Sequence, residues 1–157
     1  TTTTKDVENL EQAKIVVYAL SEMVATRLRK YNLVARCVSA GLRNTSLEWF
    51  SRQLNLMEPV NNASDIANAA LKLLKENYNF TLPLRTISVY TSNLESATGA
   101  FQMSFFNENE KEKRLEKSID EIRKKYGYKS VQRAVLLNND VLNADLHEED
   151  DFTPFKR

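Results

Sequence analysis

The 157 residues include one cysteine, Cys37, and one histidine, His147. His147 lies in the acidic run His147-Glu148-Glu149-Asp150-Asp151, with no candidate nucleophile or second metal ligand beside it. A nucleophile paired with a base, a glycine-rich phosphate loop and Cys/His metal spacing are all missing from the pattern, so no catalytic residue and no metal ligand is assigned. The residues with usable chemistry are hydrogen-bond donors: Ser39, Gly41 and Arg43; Ser51, Arg52, Gln53 and Asn55; Arg85, Thr86 and Ser88. Hydroxyls, amides and guanidinium groups donate to phosphate oxygens, and small residues let a backbone approach closely. A nucleic-acid backbone is one ligand that such a surface tracks. The same composition also describes an ordinary solvated sheet face, and three arginines alone do not separate the two readings.

These side chains need strands to align them. Leu33 to Arg43 alternates, with Val34, Val38, Ala40 and Leu42 on one side and Ala35, Cys37, Ser39, Gly41 and Arg43 on the other. After the polar turn Asn44-Thr45-Ser46, Trp49 to Leu56 alternates again, Phe50, Leu54 and Leu56 against Ser51, Gln53 and Asn55, which predicts a hairpin. A third run follows Pro83, with Ile87 and Val89 against Thr86, Ser88 and Tyr90, closing near Asn93-Leu94. Between the strands lie two helices. Asp6 is the expected N-cap of the first, whose stripe is Leu10, Val17, Leu20, Val24 and Leu28, ending near Lys30. Ser64 is the expected N-cap of the second, with Ile66, Ala69, Ala70, Leu73, Leu74 and Tyr78 on one side. With Thr1 to Thr4 as a first strand, the order is βαββαβ. The expected fold is α+β: an antiparallel four-stranded sheet over residues 1–95, with both helices on one face and the other face open.

The remainder has a different character. Residues 96–106 read as a small-residue linker running into Gln102-Met103-Ser104-Phe105-Phe106. Residues 107–137 read as a charged helix to Tyr126, with Leu115, Ile119, Ile122 and Tyr126 on its apolar stripe and its Glu/Lys faces solvated. Gly127 stops that helix, and a short strand is expected from Ser130 to Leu137. Residues 138–157 form an acidic tail, expected to be mobile.

Composition narrows the classes. With 42% hydrophobic and 27% charged residues and only three Gly and three Pro, the chain can bury a core. Apolar stretches are too short to span a bilayer, and a lone cysteine favours a reducing compartment, so a cytoplasmic protein without a membrane partner is expected. The start at Thr1, without an initiator methionine, reads as a fragment of a longer protein. Net charge is +1, yet residues 140–151 hold six acidic and no basic side chains, which leaves twenty-two basic against fifteen acidic elsewhere, or +7. The neutral total hides a basic body behind an acidic end.

Several stretches, taken in order, resemble the C-terminal region of Y-family translesion DNA polymerases of the bacterial DNA polymerase IV and UmuC kind. They are Thr3-Thr4-Lys5, Val38-Ser39-Ala40-Gly41-Leu42-Arg43, Phe50-Ser51-Arg52-Gln53-Leu54 and Leu84-Arg85-Thr86-Ile87-Ser88-Val89, then the Gln102 pentapeptide and Ile122-Arg123-Lys124-Lys125-Tyr126-Gly127. The resemblance covers nearly the whole chain. It implies a little-finger domain that holds double-stranded template-primer DNA by its phosphates through Ser39, Gly41, Arg43, Ser51, Arg52, Gln53, Arg85, Thr86 and Ser88. It also implies that Gln102, Met103, Ser104, Phe105 and Phe106 bind the sliding clamp, with Met and Phe where the usual motif has two leucines. Ser88 departs from the family pattern, which carries glycine there.

Ser118-Ile119-Asp120-Glu121 copies a metal-binding string of the family's palm, but its place in a helical stripe makes the match a coincidence. The resemblance therefore implies a non-catalytic fragment without a cofactor, the Mg²⁺ of nucleotidyl transfer belonging to a palm domain outside this chain. The reading from another class is a ferredoxin-like protein-interaction or RNA-binding module, for which Tyr90 is the one obvious base-stacking aromatic on the open face.

Overall fold

The computed structural model describes residues 2–100 and 108–137. Strand β1 (Thr2–Val7), helix α1 (Leu10–Lys30), strands β2 (Leu33–Asn44) and β3 (Trp49–Val60), helix α2 (Ala63–Asn77) and strand β4 (Leu84–Ser96) follow in the expected βαββαβ order. The strands form one antiparallel sheet in the order β1-β4-β2-β3, so β2 and β4 lie inside and β3 is an edge. Both helices pack on the same face. Their core residues include Ala13, Val16, Val17, Ala25 and Leu28 from α1 and Ile66, Ala67, Ala70, Leu73 and Leu74 from α2, against Val38, Ala40, Leu42, Ile87 and Val89 of the sheet. The alanines keep the helices close to the strands and to each other.

Local chemistry moves the helix starts. Asn9, rather than Asp6, caps α1, its side chain accepting from the Gln12 amide, and β1 runs on through Asp6 to Val7. Asn62, rather than Ser64, caps α2 by accepting from the Asp65 amide. In both cases an asparagine with extended backbone takes one of the orphan amides of the first turn. Helix α1 ends where Asn32 enters the left-handed region, φ +52°, a conformation that asparagine tolerates.

The alternation in β2 breaks once. Ala35 was expected on the open face, yet it joins Val38, Ala40 and Leu42 in the core. The break falls where the neighbouring β4 carries Asn93 at φ +53°, between the pairs Ala35↔Leu94 and Cys37↔Ser92. Strand β3 shifts register over the same stretch, between Cys37↔Asn55 and Ala35↔Val60. The sheet therefore changes phase at this end, and the clean alternation is confined to Cys37–Arg43.

Directly after β4 the chain makes a helical turn. Ala97–Ala100 forms a helical turn (α3), the Ala97 amide donating to the Asn32 carbonyl and the Asn32 side-chain amide to Thr98 Oγ1. Helix α4 (Glu108–Tyr126) follows, but the short strand expected from Ser130 to Leu137 is replaced by two 3₁₀ turns, Tyr128–Ser130 and Ala134–Leu136. This segment is held against α1 by Arg133 and Glu22, not along a strand, and its backbone closes local turns.

Helix α4 docks mainly through its charges, and of its apolar stripe only Ile119 is partly covered. Glu22 of α1, 5% exposed, accepts from Arg123 (2.9 Å), Arg133 (2.8 Å) and the Tyr128 hydroxyl (3.2 Å). Arg29 of α1 binds both carboxylate oxygens of Asp120 at 2.6 and 2.8 Å and Glu116 at 3.0 Å, and donates to the Asn61 carbonyl. Burial alone would lower the Arg29 guanidinium, but Asp120 and Glu116 more than offset it and hold its pKa above the ordinary value. Leu115, Ile122 and Tyr126 stay exposed. The faces expected to be solvated are thus the ones that make the contact.

Two consequences can be measured. Glu22→Ala strands Arg123 and Arg133 beside a buried site without a carboxylate, and unfolding free energy should fall by about 3 kcal/mol, read from urea midpoints. A change below about 0.5 kcal/mol would place this cluster among ordinary surface ion pairs. Burial, then the Glu22 charge, pushes the Tyr128 hydroxyl up to about 12. The unfolded chain gives up this proton first, near pH ~10. The group's contribution to stability is therefore complete below that pH and is lost as pH rises to about 12. Urea titrations across this window should show a shallower alkaline decline for Tyr128→Phe than for the parent chain.

Candidate nucleic-acid interface

The register of the two inner strands and the β3 edge sorts the donors. Cross-strand pairing places Thr86, Arg43 and Trp49 in one row, Ser88, Gly41 and Ser51 in the next, Tyr90, Ser39 and Gln53 in a third, and Ser92, Cys37 and Asn55 in a fourth. The intervening rows, such as Ile87, Leu42 and Phe50, belong to the helix-covered core face. Four rows therefore make the open face. Of the residues expected to bind, Ser39, Gly41, Arg43, Ser51, Gln53, Thr86 and Ser88 are brought together here.

The β2–β3 turn sets this alignment. Asn44, almost fully buried, accepts from the Glu48 amide through its side-chain oxygen (3.0 Å) and donates to the Glu48 carboxylate (2.7 Å). The Leu47 amide donates to the Asn44 carbonyl while Leu47 sits at φ +68°. Closing the turn on Asn44 brings Arg43 opposite Trp49. The guanidinium carbon then lies 5.8 Å from the indole centroid, a cation–π distance.

Arg52 and Arg85 fall elsewhere. Arg52 pairs with Ala40, on the phase of the core face, and its exposed guanidinium turns back to the Ser51 carbonyl on the edge strand. Arg85 lies at a register break between Thr86 and Leu84, half exposed, with Asp6 Oδ1 3.7 Å from its Nε. Arg36 at the opposite end is bound to Glu95 at 2.6 Å. Arg43 is therefore the one guanidinium placed in the four rows, and those twelve positions carry no carboxylate in a chain with twenty-one acidic residues. A face without carboxylates, lined with hydroxyls and amides around a cation, accepts a polyanion without like-charge cost.

Trp49 is the residue the sequence reading left unassigned. The expected strand already began at Trp49, and its parity with Ser51 and Gln53 placed it on the open side; what the pattern did not show was that it stands opposite Arg43. The expected Gln102–Phe106 segment, His147 and the acidic run lie outside the described residues. Among the described residues no helix is long and apolar enough to cross a membrane.

Comparison with known proteins bears on this arrangement. Residues 1–105 match the impB/mucB/samB family C-terminal domain. The chain belongs to this family. It is 32% identical over 145 residues to DNA polymerase IV of Acetivibrio thermocellus, covering 90% of this chain and 36% of that protein. It is 34% identical over 135 residues to the Bacillus subtilis protein named UvrX for UV-damage repair, covering 83% of this chain and 32% of that one. The chain thus spans about a third of the length of these curated relatives. Among solved structures, its fold is like that of a chain in a complex of the beta-clamp processivity factor with the little finger domain of PolIV. The TM-score there is 0.50 at 16% identity, covering 59% of this chain and 82% of that one. The fold of this impB/mucB/samB domain is thus the α+β sheet with one helix layer that the strand pattern predicted.

Because the turn aligns the face, Asn44→Ala should cost about 1–2 kcal/mol by removing both side-chain bonds to Glu48. Urea denaturation checks this, and an unchanged midpoint would show that the Leu47 backbone alone holds the turn.

Proposed function

We propose that this chain is the duplex-holding and clamp-recruiting part of a Y-family DNA-directed DNA polymerase that copies damaged DNA during repair in the bacterial cytoplasm, with no catalytic step of its own. The observation that carries the reading is the four-row sheet face, free of carboxylates and carrying Arg43 in the row next to the β2–β3 turn, in a domain whose family relatives are named as DNA polymerase IV. Phosphates of template-primer DNA meet hydroxyls and amides at Ser39, Ser51 and Gln53 and the guanidinium of Arg43, with the largely buried hydroxyls of Thr86 and Ser88 behind them. Gly41 adds no side chain beneath the Trp49 and Tyr90 rings, which keeps the middle of the face low, and Ser88 stands where the family pattern has glycine. Arg52 and Arg85 flank the face and reach phosphates from its edges.

The Ser118–Glu121 string does not fit a catalytic metal. Both Asp120 oxygens are held by Arg29, and Ser118 Oγ donates to the Arg114 carbonyl, so this segment serves the docking of α4. In this reading Mg²⁺ and nucleotidyl transfer belong to the palm of the parent enzyme. Residues 1–95 are the DNA-holding unit. The clamp assignment rests on the Gln102-Met103-Ser104-Phe105-Phe106 pattern, in which the Gln amide anchors and the three apolar side chains fill a groove, each aromatic contributing on the order of 2 kcal/mol.

Fluorescence anisotropy with a blunt duplex should give log K falling linearly with log salt, the mark of phosphate contacts. Arg43→Glu should reduce that slope by about 1, and Arg52→Glu should reduce it less. Equal slopes for the parent chain and the Arg43/Arg52/Arg85→Glu triple variant would sink the duplex assignment. For recruitment, Gln102→Ala with Phe106→Ala should abolish clamp binding in a pull-down, and unchanged retention would remove that role.

A further inference from the structure

Phosphate holding accounts for the donors on the open face but not for its two aromatic rings. Trp49 and Tyr90 stand on either side of Gly41, in the rows just before and after it. A Cβ at Gly41 would lie 3.5 Å from a Tyr90 ring carbon and 3.7 Å from a Trp49 ring carbon. With no side chain at Gly41 to lift them, the rings lie low over its backbone, which they cover, yet Trp49 remains 54% and Tyr90 56% exposed. Single apolar side chains such as Met57 and Tyr126 are exposed elsewhere, but here two exposed rings meet over one residue. Their neighbours, Ser39, Ser51, Gln53 and Ser88, are small or uncharged. The Arg43 guanidinium carbon lies 5.8 Å from the indole centroid, and its Nε is buried with no hydrogen-bond partner among the described residues.

We propose that Trp49 and Tyr90 form a stacking platform for an unpaired base of single-stranded DNA, such as the strand that continues beyond a duplex lying on the same face. The absence of carboxylates commits the occupant to a polyanion. The ring faces add what a phosphate-holding surface lacks, a sequence-tolerant contact with the π-face of a base, and paired bases inside a duplex cannot offer that face. Arg43 serves both ligands, holding a phosphate beside the base that Trp49 stacks. This inference rests on the duplex-holding reading for the identity of the face, but it is tested by a different ligand.

Trp49 is the single tryptophan of the chain, so its emission reports the contact directly. With the full 157-residue chain, a short oligothymidylate should quench Trp49 fluorescence, and an abasic oligomer with the same phosphates should bind about 10-fold more weakly without quenching. Trp49→Leu with Tyr90→Leu should weaken oligothymidylate binding about 10-fold, measured by anisotropy, while blunt-duplex affinity changes less than about 2-fold. Trp49→Phe with Tyr90→Phe, which keeps both ring faces, should retain most of the single-strand affinity. Equal binding of abasic and base-bearing strands overturns the platform, as does a Leu variant that loses duplex and single strand alike. Failure of the parent chain to bind duplex at all would instead count against the phosphate-holding function, and the single-strand comparison would still be read by itself.

Discussion

The structure depends on the double pairing of β2. This strand is hydrogen-bonded along nearly its whole length to β4 on one side and β3 on the other. Every second side chain from Val38 to Leu42 is thereby committed to the helix layer, and those between to the open face. A slip of one residue would exchange Ala40 and Leu42 for Gly41 and Arg43, burying a guanidinium and exposing the core. The register is pinned at one end by the Asn44 turn and at the other by the phase change at Asn93. The interface consequently needs little specialised machinery. It is the reverse side of a well-packed sheet whose forward side is held by alanine-rich helices.

The same helix layer has a second use. On its outer surface α1 carries Glu22 and Arg29, one of each sign, and α4 with the turns after it brings the complements: Arg123 and Arg133 for the first, Glu116 and Asp120 for the second. Two charges of opposite sign on one helix define both the position and the direction of the segment docked on it. An apolar contact would be less discriminating, because hydrophobic burial is non-directional. This arrangement leaves Leu115, Ile122 and Tyr126 on the outside of α4 while its charges are partly desolvated. It also keeps α4 on the helix-covered side of the sheet, so that its acidic side chains lie away from the Arg43 guanidinium.

The sequence yielded the element order, the single helix layer and the small, polar character of the open face, because these follow from periodicities of two and 3.6 residues and from charge. It missed the caps by a few residues, since Asn9 and Asn62 compete with equally plausible neighbours and only tertiary placement chooses between them. It read Arg43, Arg52 and Arg85 as one group because all three lie near donor-rich stretches. Parity already separated Arg52 from Ser51 and Gln53, and the register break at Arg85 could not be seen without the partner strand. The expected strand after Ser130 failed for a related reason: Arg133 holds the segment against Glu22 of α1, a pairing that β-propensity does not show.

The amino-acid pattern by itself determined which residues can share a sheet face and which can share a helix stripe, and so which chemistry the open face can present. Whether Trp49 and Tyr90 meet over Gly41, which arginine stands among the donors, and which face of α4 is covered were decided by the tertiary structure. Those outcomes depend on cross-strand register and on pairs separated by about a hundred residues, such as Arg123 with Glu22. No local periodicity encodes them. Their energy exists only once the two surfaces have been brought together and water has been removed from between them.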